Sequence, residues 1–354
     1  MTFREPIAEQ MLEAPPLAGI DSPFPAGAAD ESEGLAALHT GVRGKPRSLW
    51  SDAWRRFRKN RIALLGLAWL VVLIVVAIFA PLIATNNPVK ADVATAGTLR
   101  QAAWISDPNP MRTGSWQYPL GTDTIGRCVW SRLVYGTRVS LIVGLIPMFV
   151  ILLIGVPFGL IAGYVGGRLD NLMMRITDVV YAFPALLLAI VMQIAFGDTA
   201  FGGLLNGLVL LFVSLSIVNW TGVARLVRGT TLSLREKEYV EAARASGASH
   251  QRIVAKHIFP NTLGPIIVAG AFIIPSAIIS EAVLSYLGVG LRPSVNLDTP
   301  FPTSWGQMIL EGSKFYQAQL WMLLGPALAI ALITLAFTFV GDGLRDALDP
   351  RGTD

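Results

Sequence analysis

Few residues in this chain are of a type and spacing that could do chemistry. The three histidines are His39, His250 and His257, and the one cysteine is Cys128. They form no cluster with metal-ligand spacing, and a lone cysteine makes no internal disulfide. The sequence holds no H-E-x-x-H, no G-x-S-x-G and no G-x-x-x-x-G-K-[ST]. It therefore offers neither a hydrolytic constellation nor a loop to cradle ATP phosphates, and if ATP drives it, another subunit must supply the engine. What remains is acidic groups within apolar stretches, where charge is costly and usually functional. Glu281 stands late in one stretch and is followed by ten uncharged residues. It either lines a translocation path or contacts another subunit, or it is a helix-packing carboxylate paired with a neighbouring hydroxyl or backbone group. Asp178 opens another stretch and is expected to cap a helix N-terminus.

The elements that would position these groups are unusual in composition. Of the 354 residues, 53% are apolar and 15% are charged, against roughly 25% charged in an ordinary soluble domain. Residues 62–84, 139–167, 179–197, 199–224, 258–280 and 315–341 contain no Asp, Glu, Lys or Arg. Each is about as long as the ~20 residues that cross a hydrocarbon core. The fold class this predicts is an all-α polytopic membrane protein with six transmembrane helices. A soluble enzyme, a nucleic-acid-binding domain and a secreted disulfide scaffold are excluded. With six spans, 20 of the 28 Lys and Arg fall on the side that carries residues 1–61, which predicts cytoplasmic N- and C-termini. The first apolar run is too long for the core of a cleavable signal peptide and reads as a retained span.

Between the spans the chain divides as follows. Residues 1–47, rich in Pro, Ala and Gly, are expected to be a disordered cytoplasmic tail. Residues 48–61 place Trp50, Trp54 and Phe57 on one helical stripe beside Arg55, Arg56, Arg58, Lys59 and Arg61. Such a basic helix suits an elbow lying in the headgroup plane, anchored in membrane lipid, although the same charges could simply orient the first span. Residues 62–84 are that span and 85–138 an outer loop. Residues 139–341 are a five-helix core, with 288–319 as a second outer loop, and 342–354 are a cytoplasmic C-terminus. Pro147, Pro157, Pro184 and Pro275 could each break a helix.

One inside loop, REKEYVEAARASGASHQRIVAKHIFPNT (235–262), has a pattern of its own. A first short helix over 237–246 is expected, rich in Ala, with Gly247 in the left-handed position that ends it. Ser249 would cap a second helix running to Phe259, which Pro260 stops. Glu241 and Arg244, at i and i+3, can offer charges to a partner or to each other. On residues alone this could be a well-made loop and nothing more.

Glu241-Ala242-Ala243, Arg244, then Gly247, Ile253 and Pro260, resemble the EAA loop of ABC-importer permease subunits, which seats in a groove of the ATPase. YPLGTDTIGRCVWSRLVYGTRVSL (118–141), EAVLSYLGVGLRP (281–293), SWGQMILEG (304–312) and GDGLRDALDPR (341–351) resemble segments of the dipeptide and oligopeptide permeases of the C type. Residues 50–100 look like the extra N-terminal span of that branch, so the resemblance covers about residue 50 to the end. Cys128 stands where that pattern carries Asp, and the stretch between Gly290 and Trp305 is longer than usual.

The resemblance implies a type I ABC-importer bundle in a bacterial inner membrane, moving short peptides. The chain is not itself an enzyme. Its implied partners are a second homologous permease, two ABC ATPase subunits (or one that dimerises) and an extracytoplasmic solute-binding protein. It binds no cofactor itself, and ATP and Mg are used by the ATPases. Nickel chelates, opines and oligosaccharides are alternative cargoes within the same architecture. A secondary transporter or channel is the remaining alternative, and it would call for inverted repeats or broken midplane helices carrying charge.

Overall fold

The computed structural model describes residues 49–294 and 296–348. The tail expected over 1–47, with His39, lies outside the described residues, as do residues 349–354 of the C-terminus. Among the described residues there is no β-strand, only two isolated bridges in the loop before the second long helix.

The chain opens with α1 (Leu49–Phe57), the elbow expected from the aromatic stripe. Asn60 ends the turn by accepting the amides of Ile62 and Ala63 at 3.1 Å each, which starts α2 (Arg61–Ile78). Phe57 does not reach lipid. It is 3% exposed, packed on Ala63 and Ala347, and so fastens the elbow to the last helix. Trp54 stacks on it and stays half exposed. Leu49 and Trp50 belong to α1, with side chains outside those described.

The first span is not one helix to residue 84. It breaks at Phe79, and a short turn, Ala80–Ile83, follows. Pro81 has no N–H for the carbonyl of Ala77, four residues back. Arg138 supplies the missing donor: its Nε donates to Ala77 O at 2.6 Å and its Nη2 to Ile78 O at 3.2 Å. That guanidinium sits on α3 (Val129–Val165), which begins ten residues before the expected edge of the second span. At 37 residues it is about 55 Å long and projects beyond any hydrocarbon core. Pro147 and Pro157 lie inside it without interrupting it.

Two glycines in the left-handed region, Gly166 and Gly167, reverse the chain into α4 (Gly167–Tyr181). The third span is broken: α4 meets α5 (Ala185–Phe196) at a 70° bend immediately before and at Pro184. Asp178 is in the last turn of α4 rather than at an N-terminus, and it pairs with Arg225 at 2.8 Å. The expectation of a capping role is therefore corrected. A turn at 204–207 leads to α6 (Leu208–Arg235), followed by α7 (Glu238–Ala245) and α8 (His250–Tyr286). The second outer loop is not all loop, since it contains α9 (Trp305–Phe315). The last span, α10, runs Trp321–Leu348, starting and ending later than residues 315–341.

The tightest packing is between α3 and α6. A Cβ added to Gly155, Gly159 or Gly163 would lie 2.7, 2.5 and 2.7 Å from the carbonyl oxygens of Trp220, Ala224 and Arg228. This small-xxx-small spacing lets the two backbones touch, which drives helix association where lipid removes the hydrophobic incentive. α6 is also tied to α4 by a bidentate pair, Arg228 to Asp170, at 2.5 and 2.7 Å. Gly159→Leu should push α6 away and lower the melting temperature of the purified subunit by several degrees, the effect of about 1–3 kcal/mol of overpacking. Leu at Ile161, which is 48% exposed, should leave that temperature unchanged.

Candidate coupling loop, transport face and outer cap

The inside loop is built as a rigid corner. α7 ends in a Schellman turn: Gly247, at φ +78°, donates to Arg244 O at 3.0 Å, and Ala248 donates to Ala243 O at 3.1 Å. This satisfies two carbonyls that the helix end leaves open. Ser249 then caps α8, its Oγ accepting from the Arg252 amide. Val240, Ile253 and Ile258 are fully buried against Leu160, Tyr164 and Leu234, so the corner is clamped to the ends of α3 and α6.

Pro260 does not stop the second helix. His250–Tyr286 is continuous because residues Val254–Ile258 adopt a π turn, with Phe259 N–H bonding back five residues to Val254 O. The wider turn takes up the place where Pro260 lacks a donor and would clash with the turn below. The corner and α8 therefore have no joint between them at Pro260.

Of the residues expected to couple, Glu241, Ala242, Arg244, Gly247 and Pro260 are exposed, and Ala243 is half buried. Ile253 is 0% exposed and can only position the loop. No ion pair joins Glu241 to Arg244 among the described residues. Beside the reversal lies a groove of about 450 Å³ whose floor includes Ala242, Ser246 and Gly247 and whose wall carries Arg252, Lys256 and His257.

A second open groove, of about 290 Å³, lies between α6 and α8 in the apolar belt. Polar side chains are spaced along it, Asn219 from α6 and Ser276 and Ser280 from α8, and Gly222 of α6 also lines it. Asn219 and Gly222 also border the cavity at the Pro184 break, so the bent third span opens onto the same face. Asn219 Nδ2 donates to Leu215 O at 2.5 Å and Ser280 Oγ to Ser276 O at 2.8 Å, meeting part of their demand within their own helices.

Glu281 is not on this face. It is 1% exposed and accepts from Ser285 Oγ at 2.6 Å, and Ser285 in turn faces Ser304 at the start of α9. Its surroundings are those of a packing carboxylate, and it lines neither groove. Glu281→Gln keeps the shape and an acceptor for Ser285. It should leave transport and its pH profile unchanged, as measured by uptake across the neutral range.

The outer loops form a packed cap around a charge network that draws on residues far apart in sequence. Arg132 of α3 is 2% exposed. Its Nη1 donates to Asp123 at 2.7 Å and Glu311 at 2.6 Å, and its Nη2 to Glu311 at 3.0 Å and Thr303 at 3.2 Å. Arg127 joins the same two carboxylates at 2.6 and 2.9 Å. Cys128, beside them, is 1% exposed and precedes α3 without a side-chain capping bond, its Sγ hydrogen-bonding instead with Thr85 Oγ1 at 3.5 Å. The signal was present in GTDTIGRCVWSR and ILEG, but pairing them needs the fold. The basic flank of α1 is mostly exposed, and Arg55 lies 3.9 Å from Asp52.

Residues 155–353 match the family described as binding-protein-dependent transport system inner membrane component. Residues 48–102 match the N-terminal TM domain of oligopeptide transport permease C. The dipeptide transport system permease protein of Bacillus subtilis (strain 168) is 38% identical over 311 residues, covering 88% of each chain. The oligopeptide transport system permease protein of the same organism is 39% identical over 311 residues, 88% of this chain and 92% of that one. Its counterpart in Escherichia coli (strain K12) is 37% identical over 320 residues, 90% and 97% of the two chains.

Proposed function

Because the chain belongs to the family of binding-protein-dependent transport system inner membrane components, we propose that it is the peptide-conducting permease subunit of an ATP-driven importer. As a multi-pass inner membrane permease it is not an enzyme. ATP and Mg are used on partner ATPases, which seat on the exposed surface of α7 and the reversal after it, at Glu241, Ala242 and Gly247. A second, similar permease completes the pathway, and a solute-binding protein delivers cargo to the outer cap. The observation that carries this reading is the corner itself: an exposed short helix, clamped to α3 and α6 and joined to α8 through the tight reversal at Gly247, is built to receive a push and pass it on. Movement of one such rigid element can bias a two-state bundle. Short peptides are the cargo because the relatives named above are dipeptide and oligopeptide permeases.

The pathway on this chain is the α6–α8 groove. Amide and hydroxyl groups are wasted against lipid but match the backbone N–H and C=O of a peptide, holding it weakly enough to release it. Single cysteines at Asn219, Ser276 and Ser280, in a Cys128→Ala background, test this in the assembled transporter. Cys128 is buried, so its removal costs little reactivity. A water-soluble thiol reagent should label all three, peptide-loaded binding protein should slow the labelling, and a cysteine at lipid-facing Leu153, 75% exposed, should not react. Protection by an oligosaccharide or a nickel chelate instead of peptide would reassign the cargo. Labelling no faster than at Leu153 would remove the pathway from this groove.

A further inference from the structure

At the junction of the coupling corner and the end of α3 lies a cavity of about 630 Å³, separate from the groove beside α7 and from the α6–α8 groove. Its wall is apolar, with Ile161 and Val165 of α3, 48% and 58% exposed, facing Val254 of α8. Its rim carries Arg244 and His250. No Asp or Glu lines it among the described residues, and Arg244, which could have paired with Glu241, forms no ion pair there. Tyr164 OH is 2.8 Å from His250 Nδ1. With the hydroxyl donating, the imidazole keeps its proton on Nε2, free to be given to an anion. The cavity thus combines an open apolar slot, accessible from the flank of a spanning helix, with two donors at the end of the bundle where the Lys and Arg excess lies. A free small anion would need only the rim, and a neutral lipid only the slot.

We propose that this cavity holds one anionic phospholipid, its phosphate on Arg244 and His250 and an acyl chain along Ile161, Val165 and Val254. Basic pockets between helices at the cytoplasmic leaflet select such headgroups. Because Arg244 ends α7 and His250 begins α8, the bound lipid ties the coupling corner to the membrane. The lipid composition of the inner leaflet then sets how firmly the corner is held.

The test uses the full chain purified with its partners in mild detergent and titrated with phosphatidylglycerol or phosphatidylcholine, bound lipid being counted by native mass spectrometry. Phosphatidylglycerol should be retained preferentially. Arg244→Gln should cut its retention roughly fivefold, the worth of one basic residue at an anionic surface, whereas Arg244→Lys should keep it. Ile161→Trp, which fills the slot and leaves Arg244 and His250 in place, should abolish it. Excess inorganic phosphate should not displace the lipid. Equal retention of both lipids, indifference to Arg244→Gln or to Ile161→Trp, or displacement by phosphate would each overturn the proposal. Loss of the partners from the preparation would be read separately, as a failure of assembly.

Discussion

An Arg132→Ala subunit is expected to lose its outer cap. Removing the guanidinium strips Asp123, which is 0% exposed, and Glu311 of a shared donor and takes one hydrogen bond from Thr303. Breaking a buried ion pair from one side costs about 3–5 kcal/mol, because the remaining charge stays buried without compensation. Arg127 compensates only in part, because it already bonds both carboxylates and is more exposed. The network joins the loop before α3, α3 itself and α9, so the loss should appear as a large drop in the melting temperature of the solubilised subunit. It should also bring proteolytic cleavage between residues 84 and 128. Arg132→Lys should recover little, since an ammonium cannot make the forked contacts to two carboxylates. A melting temperature equal to that of the native chain would mean that the network is not what holds the cap.

Gly247→Val is the second large effect, and it separates coupling from folding. At φ +78° a β-branched residue is strained, at about 1–2 kcal/mol or more. Nothing lies within 4 Å of the position a Cβ would take, so no clash adds to that strain. The chain should relieve it by opening the reversal, which breaks the Ala248–Ala243 and Gly247–Arg244 bonds and swings α7 away from α8. Assembled transporters should then hydrolyse ATP without moving cargo, or lose the ATPase, while the subunit's melting temperature barely changes. Gly247→Asn, which tolerates the left-handed region, should retain coupling. Normal transport by the valine variant would show that α7 is not the element that carries the push.

Most of the bundle was legible because lipid demands continuous apolar runs, and these need no periodicity to be seen. Their edges were not, because helices continue into the interface carrying charges that find partners there. α3 takes Arg132 and Arg138 with it, each satisfied by groups distant in sequence, Arg132 by Glu311 179 residues away. The four prolines have the same local chemistry, yet only Pro184 sits at a break. Packing decides that, and so does the π turn that carries α8 past Pro260. Gly247 and Ser249 were readable since their roles are local, one a backbone conformation and the other a cap. The glycine row at 155, 159 and 163 was equally readable, as a packing signal without chemistry of its own. The α6–α8 groove was hidden because Asn219, Ser276 and Ser280 come together only in the fold.

We propose above that this chain works as one subunit of a larger, ATP-driven assembly. The most direct measurement is mild-detergent capture of the tagged chain from its native membrane, with identification of what accompanies it. A second permease together with one or two P-loop ATPases is the predicted result. Recovery of the chain alone, or only with copies of itself, would contradict the claim and favour a stand-alone transporter or channel.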